Sequence, residues 1–345
     1  MLIRNLQALR AFAALSVAYF HLFIPVFNVG QSGVDVFFVI SGFMMSQVCA
    51  TRPERFLARR LIRIVPIYWV YTLGLFAVAL AAPTLLVSVR PDMANLLKSL
   101  FFVPYLKENG LINPIVPQGW TLNYEMLFYG LVGVCLLAVR PAAATALASV
   151  LLIAVSGAAR TWGSGAAATF YGSPIIGEFA LGVAAFWIWK RLPTGRRPRP
   201  ALLLAIVSLS CLALVLSDYF RLDRVVPSGR LLAFGLPAFG LVGAVLLLED
   251  SRRVTNGLIL LLGNASYSIY LSHLFVIEFV GRIVARAVPA LHPTRPAGMV
   301  VTFILILGTG LASYVLLELR LTGILKRVFL ESVEPSEADA LRKTP

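Results

Sequence analysis

Arg10 and His21 stand eleven residues apart in one apolar stretch that begins near Leu6. At about 100° per residue the second side chain returns to within roughly 20° of the first, about 16 Å farther along the helix axis. An ionisable group facing lipid is costly, so a guanidinium and an imidazole on one face of a membrane helix suggest a polar cleft. It would enter the bilayer from the Arg10 end and reach the imidazole partway across. Anion binding suits the arginine, and proton transfer near neutral pH suits the histidine.

Four further segments carry chemistry. Arg60 and Arg63 are three apart, share a helix face and open an apolar span that contains Pro66, Tyr68 and Trp69. A fork of two guanidiniums suits a phosphorylated small molecule; anchoring near lipid headgroups is the plainer alternative. Glu125 and Tyr129 stack at i, i+4, and Trp120 and Tyr124 do so on another face. Glu125 could move a proton, hold a sugar hydroxyl or clamp two helices, while the aromatics fit an interfacial belt or a carbohydrate platform. Asp35 is a second intramembrane acid that could pair with an arginine or orient His21. Tyr267, Tyr270 and His273 follow at spacings of three, near one face; a lone membrane histidine such as His273 is often a helix–helix hydrogen-bonding residue. Cys49, Cys135 and Cys211 lack metal-ligand spacing and read as packing residues, so no metal site is expected. The chain has no phosphate-cradling Gly-rich loop, zinc motif or Gly-x-Ser-x-Gly elbow, which leaves an ATP-driven pump or a covalent serine enzyme unsupported.

The elements that must position these residues are membrane helices. The 345 residues are 59% hydrophobic and 13% charged, with a mean hydropathy of +0.85, far outside the soluble range. Spans of about 20 residues place ten helices near 6–27, 33–50, 62–86, 120–139, 143–160, 172–190, 201–217, 230–248, 259–281 and 298–318. Gly33, Asp35, Ser41 and Gly42 interrupt the second, which also fits a re-entrant segment. The net charge of +14 is topological rather than a sign of nucleic acid, because roughly 19 of the 30 Lys and Arg gather in alternate loops. Both termini are then cytoplasmic. The first stretch is too long and too polar to be a signal peptide. Residues 1–330 read as one integral membrane domain and 331–345 as a polar cytoplasmic tail. The long connection at 87–119 would lie along the outer interface or fold back over the cavity mouth.

Arg10 with His21, the run Gly33 to Phe43, Arg60 with Arg63, the segment Gly119 to Glu125 and the segment Ser266 to His273 together resemble the acyltransferase-3 family of membrane acyltransferases. Within it the chain looks most similar to the short exopolysaccharide O-acetyltransferases of the succinoglycan-modifying type. The resemblance implies a multi-pass protein of a bacterial-type inner membrane that holds no bound cofactor. It would transfer an acetyl group from cytoplasmic acetyl-CoA to a hydroxyl of a glycan or lipid-linked oligosaccharide. His21 would be the general base, helped by Asp35 or Glu125. Arg10, Arg60 and Arg63 would bind the acyl-CoA, and Trp120, Tyr124 and Tyr270 the acceptor. One departure lies at Glu318, where Leu319 and Arg320 follow in place of the Glu-x-Pro that members often show; it bears on the end of the last helix. A glycan or organic-anion carrier without chemistry is the alternative that the buried charges equally permit.

Overall fold

A computed structural model describes residues 3–22, 28–82, 91–225 and 229–331. The described residues are helical and loop, with no strand. The helices are α1 (Arg4–Leu22), α2 (Gly33–Thr51), α3 (Phe56–Ala81), α4 (Met93–Leu100), α5 (Trp120–Ala138), α6 (Pro141–Trp162), α7 (Gly165–Tyr171), α8 (Gly177–Arg191), α9 (Pro200–Tyr219), α10 (Leu231–Leu248), α11 (Gly257–Asn264), α12 (Ser266–Ala287) and α13 (Pro296–Leu330). Proline opens α6, α9 and α13, where its missing N–H costs no intrahelical bond. Asp92 and Asn256 cap α4 and α11 by accepting from backbone N–H groups.

Among the described residues eight helices are long and apolar enough to cross a membrane, or nine if α7 and α8, bent by 49°, form one broken span. The ten spans expected from sequence are therefore not all of one kind. α1 has the length at 19 residues, but Arg4, Asn5, Gln7, Arg10 and His21 lower its hydropathy. One face packs against α2, α10, α11, α12 and α13, while Phe12 and Tyr19 remain exposed on the other.

Glu249 fixes the height of α1. Its carboxylate accepts from the backbone N–H of Arg4 at 3.0 Å and of Asn5 at 2.8 Å, so it closes two of the orphan donors at the start of the helix. The Asn5 side chain in turn donates to the Arg252 carbonyl and accepts from the Val254 N–H, both at 2.8 Å. α1 is thereby tied to the loop after α10.

α2 is a continuous helix, and the glycines that argued for a re-entrant segment explain why. A Cβ on Gly42 would come within 2.1 Å of the Phe179 carbonyl oxygen, and one on Gly182 within 2.1 Å of the Val39 carbonyl oxygen. The small residues let α2 and α8 touch backbone to backbone, a mode of association that lipid-exposed bundles favour. Gly33 makes the same close approach to Ala13 of α1.

The connection after α3 is held by Ser99 of α4. Its carbonyl accepts from Tyr68 Oη at 3.1 Å, and its hydroxyl accepts from the Ile115 N–H at 3.0 Å. The loop returns through Lys107, whose ammonium donates to the Pro114 carbonyl and is pushed by burial down to about 8. Ile115, Val116 and Gln118 are buried, and Gly119 meets the ring of Tyr68. α13 runs on past Glu318, so the absent proline leaves the helix uninterrupted, and residues 314–318 widen to π geometry. The expected polar tail lies outside the described residues from 332 onward.

Adding one methyl should separate these roles. Gly42→Ala is expected to lower stability by about 1–3 kcal/mol through overpacking. Gly74→Ala, on α3 with open space around it, should change little or stabilise by up to about 1 kcal/mol. Thermal unfolding of the two variants in detergent makes the comparison.

Candidate active site

Arg10, Arg60 and Arg63 converge. All three line an inner cavity of about 160 Å³ together with Ser41, Glu125 and Tyr270. All three also line a wider vestibule of about 650 Å³, where Arg52, Arg59 and Lys326 add three more cations beside Glu318. Five residues, Gln7, Arg10, Met44, Arg60 and Arg63, are common to both spaces, which therefore adjoin at these side chains. Gln7 and Leu330, near the two ends of the described chain, both border the vestibule.

The i, i+3 spacing on α3 aims Arg60 and Arg63 to one side, opposite Arg10 of α1. Arg10 donates to Gln7 Oε1 at 3.3 Å, and among the described residues Nε of Arg60 is buried without a partner. Among the described residues none of the three arginines forms an ion pair. Six cations against two carboxylates make an anion site with room for several negative groups.

The cavity wall on α5 follows the spacing read from sequence. Tyr129 Oη donates to Glu125 Oε2 at 3.0 Å and lies 3.4 Å from Ser41 Oγ. Glu125 thus shares the cavity wall with the arginines, close behind the turn at Gly119 that meets the ring of Tyr68. On α12, Tyr267 donates to the Ile64 carbonyl at 2.8 Å and Tyr270 to the Gln118 carbonyl at 3.0 Å. Both tyrosines border the inner cavity. Ser268 donates to Glu318 at 2.6 Å, which seats that carboxylate on the vestibule wall.

His21 is not among the residues lining the inner cavity. Its ring lies 5.1 Å from that of His273, which lies 5.9 Å from the ring of Tyr270. Tyr270 therefore links the cavity to an imidazole pair, and Phe37, with its ring 6.1 Å from Tyr270, stands beside it. The sequence offered no way to tell that His273 would meet His21 across 252 residues, only that it shares a face with two tyrosines.

Three expected site residues are placed elsewhere. Asp35 is fully buried and forms a two-pronged pair with Arg230, Nε to Oδ1 at 3.1 Å and Nη2 to Oδ2 at 2.9 Å. Among the described residues no hydrogen bond joins it to His21. Of the two roles open to Asp35, the arginine pair is the one formed. Tyr124 stacks on Phe170 with ring centroids 4.2 Å apart and donates its hydroxyl to the Phe170 carbonyl. Trp120 packs edge-on to Phe38 and Tyr124. Neither lines the inner cavity, and both serve an aromatic core with Phe128 and Phe179. Arg230, Gln118 and Glu318 were missed; each works through a partner far away in sequence.

The profile of the family described as the acyltransferase domain, acyltransferase-3, matches residues 3–318. The chain is 36% identical over 301 residues to the exopolysaccharide production protein ExoZ of Rhizobium meliloti, covering 85% of this chain and 89% of that protein. It is 27% identical over 339 residues to BcsY of Komagataeibacter xylinus, provisionally described as a membrane-bound transacylase, with 91% and 82% covered. YrhL of Bacillus subtilis, provisionally described as a peptidoglycan O-acetyltransferase, is 29% identical over 314 residues, which span 80% of this chain and 48% of that protein. No solved structure matches.

The Asp35–Arg230 pair generates a test of its own. Asp35→Leu should cost about 3 kcal/mol, the lower end for a broken buried pair, since Arg230 keeps 26% of its side chain exposed. Adding Arg230→Met should recover most of that loss. Acyl transfer by the repaired double variant would place Asp35 outside the chemistry; a folded but inactive double variant would place it inside.

Proposed function

This chain belongs to the acyltransferase-3 family, and from that membership we propose that it carries an acetyl group from acetyl-CoA to a hydroxyl of a cell-surface or lipid-linked exopolysaccharide. It is an acyltransferase, so the carrier alternative falls away. What remains to assign is the donor, the acceptor and the residues.

The observation that carries the donor assignment is the set of three arginines without ion-pair partners, shared between a wide cationic vestibule and a narrow inner cavity. Coenzyme A has that outline: a bulky head with three phosphates and a thin pantetheine arm. Arg60, Arg63 and Arg10 would take phosphate oxygens, and the arm would follow the face of α1 inward. His21 lies about 16 Å beyond Arg10 along the helix, a distance the arm can cover. Since acetyl-CoA is made in the cytoplasm, the vestibule face is assigned to that side of the inner membrane, along with both ends of the chain. The distribution of basic residues agrees.

In the proposed reaction, neutral His21 takes the proton of the acceptor hydroxyl as its oxygen attacks the thioester carbonyl. The carbon–oxygen ester bond forms, the carbon–sulfur bond breaks, and the departing thiolate receives the proton from the imidazolium. Glu125, tied to Tyr129, balances the arginines across the cavity and orients Arg10 or Arg63. Tyr270 stands where the thioester passes toward the imidazole. For the acceptor, the exopolysaccharide role in the name of the Rhizobium relative supports a glycan hydroxyl. Trp120 and Tyr124 would contribute to its site only through the aromatic wall they build.

Vesicles bearing the wild type and given labelled acetyl-CoA and the glycan should form O-acetyl ester, and His21→Ala at equal membrane abundance should form none. Substantial transfer by His21→Ala would remove the base assignment. Arg60→Ala and Arg63→Ala should each weaken acetyl-CoA binding about tenfold or more, the loss of a charged hydrogen bond. Unchanged affinity would detach them from the donor.

A further inference from the structure

We infer that His273 is a positioning residue for His21: its Nε2 accepts a hydrogen bond from the His21 ring and so fixes which His21 nitrogen is left to take the acceptor's proton. The inference rests on the proposed role of His21 as base.

The tautomer of His273 follows from its contacts. Its Nδ1 lies 2.6 Å from the carbonyl oxygen of Tyr270. A carbonyl can only accept, so Nδ1 carries the hydrogen, and the neutral ring keeps a lone pair on Nε2. That nitrogen is buried with no hydrogen-bond partner, in a residue with no exposed surface. Tyr270 cannot satisfy it through its hydroxyl, which is engaged with the Gln118 carbonyl and Thr121. An orphaned buried acceptor in a folded protein calls for a reason, and function is a frequent one.

The group that faces it is His21, with 5.1 Å between ring centroids and 35° between planes. A ring nitrogen sits about 1.1 Å from its centroid, so the nitrogens approach to about 2.9 Å when the rings turn edge to edge, an ordinary hydrogen-bond length. Among the described residues no carboxylate hydrogen-bonds either imidazole. Asp35, the acid that the sequence offered for orienting His21, is held by Arg230. His273 therefore fills the orienting place that a carboxylate takes in other base-assisted acyl transfers. During transfer the proton from the acceptor oxygen goes to the free nitrogen of His21, while the N–H toward His273 stays in place. The imidazolium then keeps a neutral acceptor beside it until the thiolate takes the proton back. Tyr270 couples this pair to the donor, since it lines the inner cavity with its ring and holds His273 with its carbonyl.

The Nδ1 bond stays within α12 and needs no second helix, so a histidine that merely filled space there could be replaced by leucine without loss of turnover. His273→Leu removes the orphaned atom, so it should unfold at the wild-type temperature or above. Its turnover should fall about a hundredfold, as for loss of effective general-base assistance, with KM for acetyl-CoA unchanged. His273→Gln, whose amide oxygen can accept from His21, should recover part of the rate. Wild-type turnover by a folded His273→Leu overturns the assignment.

Nitrogen-15 histidine NMR of the protein in lipid nanodiscs tests the pair without any turnover, in a chain with three histidines. The Nε2 resonance of His273 is expected at the position of an unprotonated nitrogen that accepts a hydrogen bond, and His21→Phe should move it to the free position. A resonance that ignores His21→Phe overturns the proposal. A wild type that fails to transfer acetyl would defeat the functional reading, and the spectrum would still decide the pair.

Discussion

Three guanidiniums without ion-pair partners inside a membrane bundle are the constraint on which the structure depends. A charge against lipid is costly, so Arg10, Arg60 and Arg63 must border a polar space that is open to water. The cavity is that space. α1 and α3 supply the cations, α5 supplies Glu125 with its tyrosine clamp, and α12 supplies two tyrosines, behind which His273 lies buried. Remove the need to keep these arginines wet, and nothing would forbid the helices from closing on one another.

The same constraint explains the position of α1. Its polar face turns inward against the bundle while Phe12 stays exposed on the other side, with its N-terminus closed by Glu249 and its far end against α12. The glycines on α2 and α8 bring the surrounding helices close enough to hold it, and the buried Asp35–Arg230 pair locks α2 to α10. Polar residues that look like chemistry in the sequence divide accordingly. Some face the cavity and remain unpaired; others find a partner and become scaffold.

That division marks what was legible in the sequence. Residues that act through near neighbours on one helix could be read: the Arg60 and Arg63 fork and the Glu125–Tyr129 contact both follow from helical spacing. α2 was harder, because its glycines lower its helical signal and their meaning lies in the contact with α8. The partner of Asp35 is 195 residues away, and no local pattern announces it. Trp120 and Tyr124 carry the side chains of a sugar platform, yet Phe170, on a short helix before the bent α8, claims Tyr124. His273 was legible as polar and inward but not as a neighbour of His21, since that depends on α1 and α12 packing side by side.

The central claim is a path for one molecule, phosphates at the arginines and thioester at the imidazole. A structure of the protein in lipid with a non-reactive thioether analogue of acetyl-CoA tests it most directly. The account predicts phosphate density between Arg60 and Arg63 and the thioether carbon beyond Tyr270, within hydrogen-bonding reach of His21 for an incoming hydroxyl. An analogue bound with its phosphates away from the three arginines, or with its acyl end pointing out of the vestibule, would contradict it.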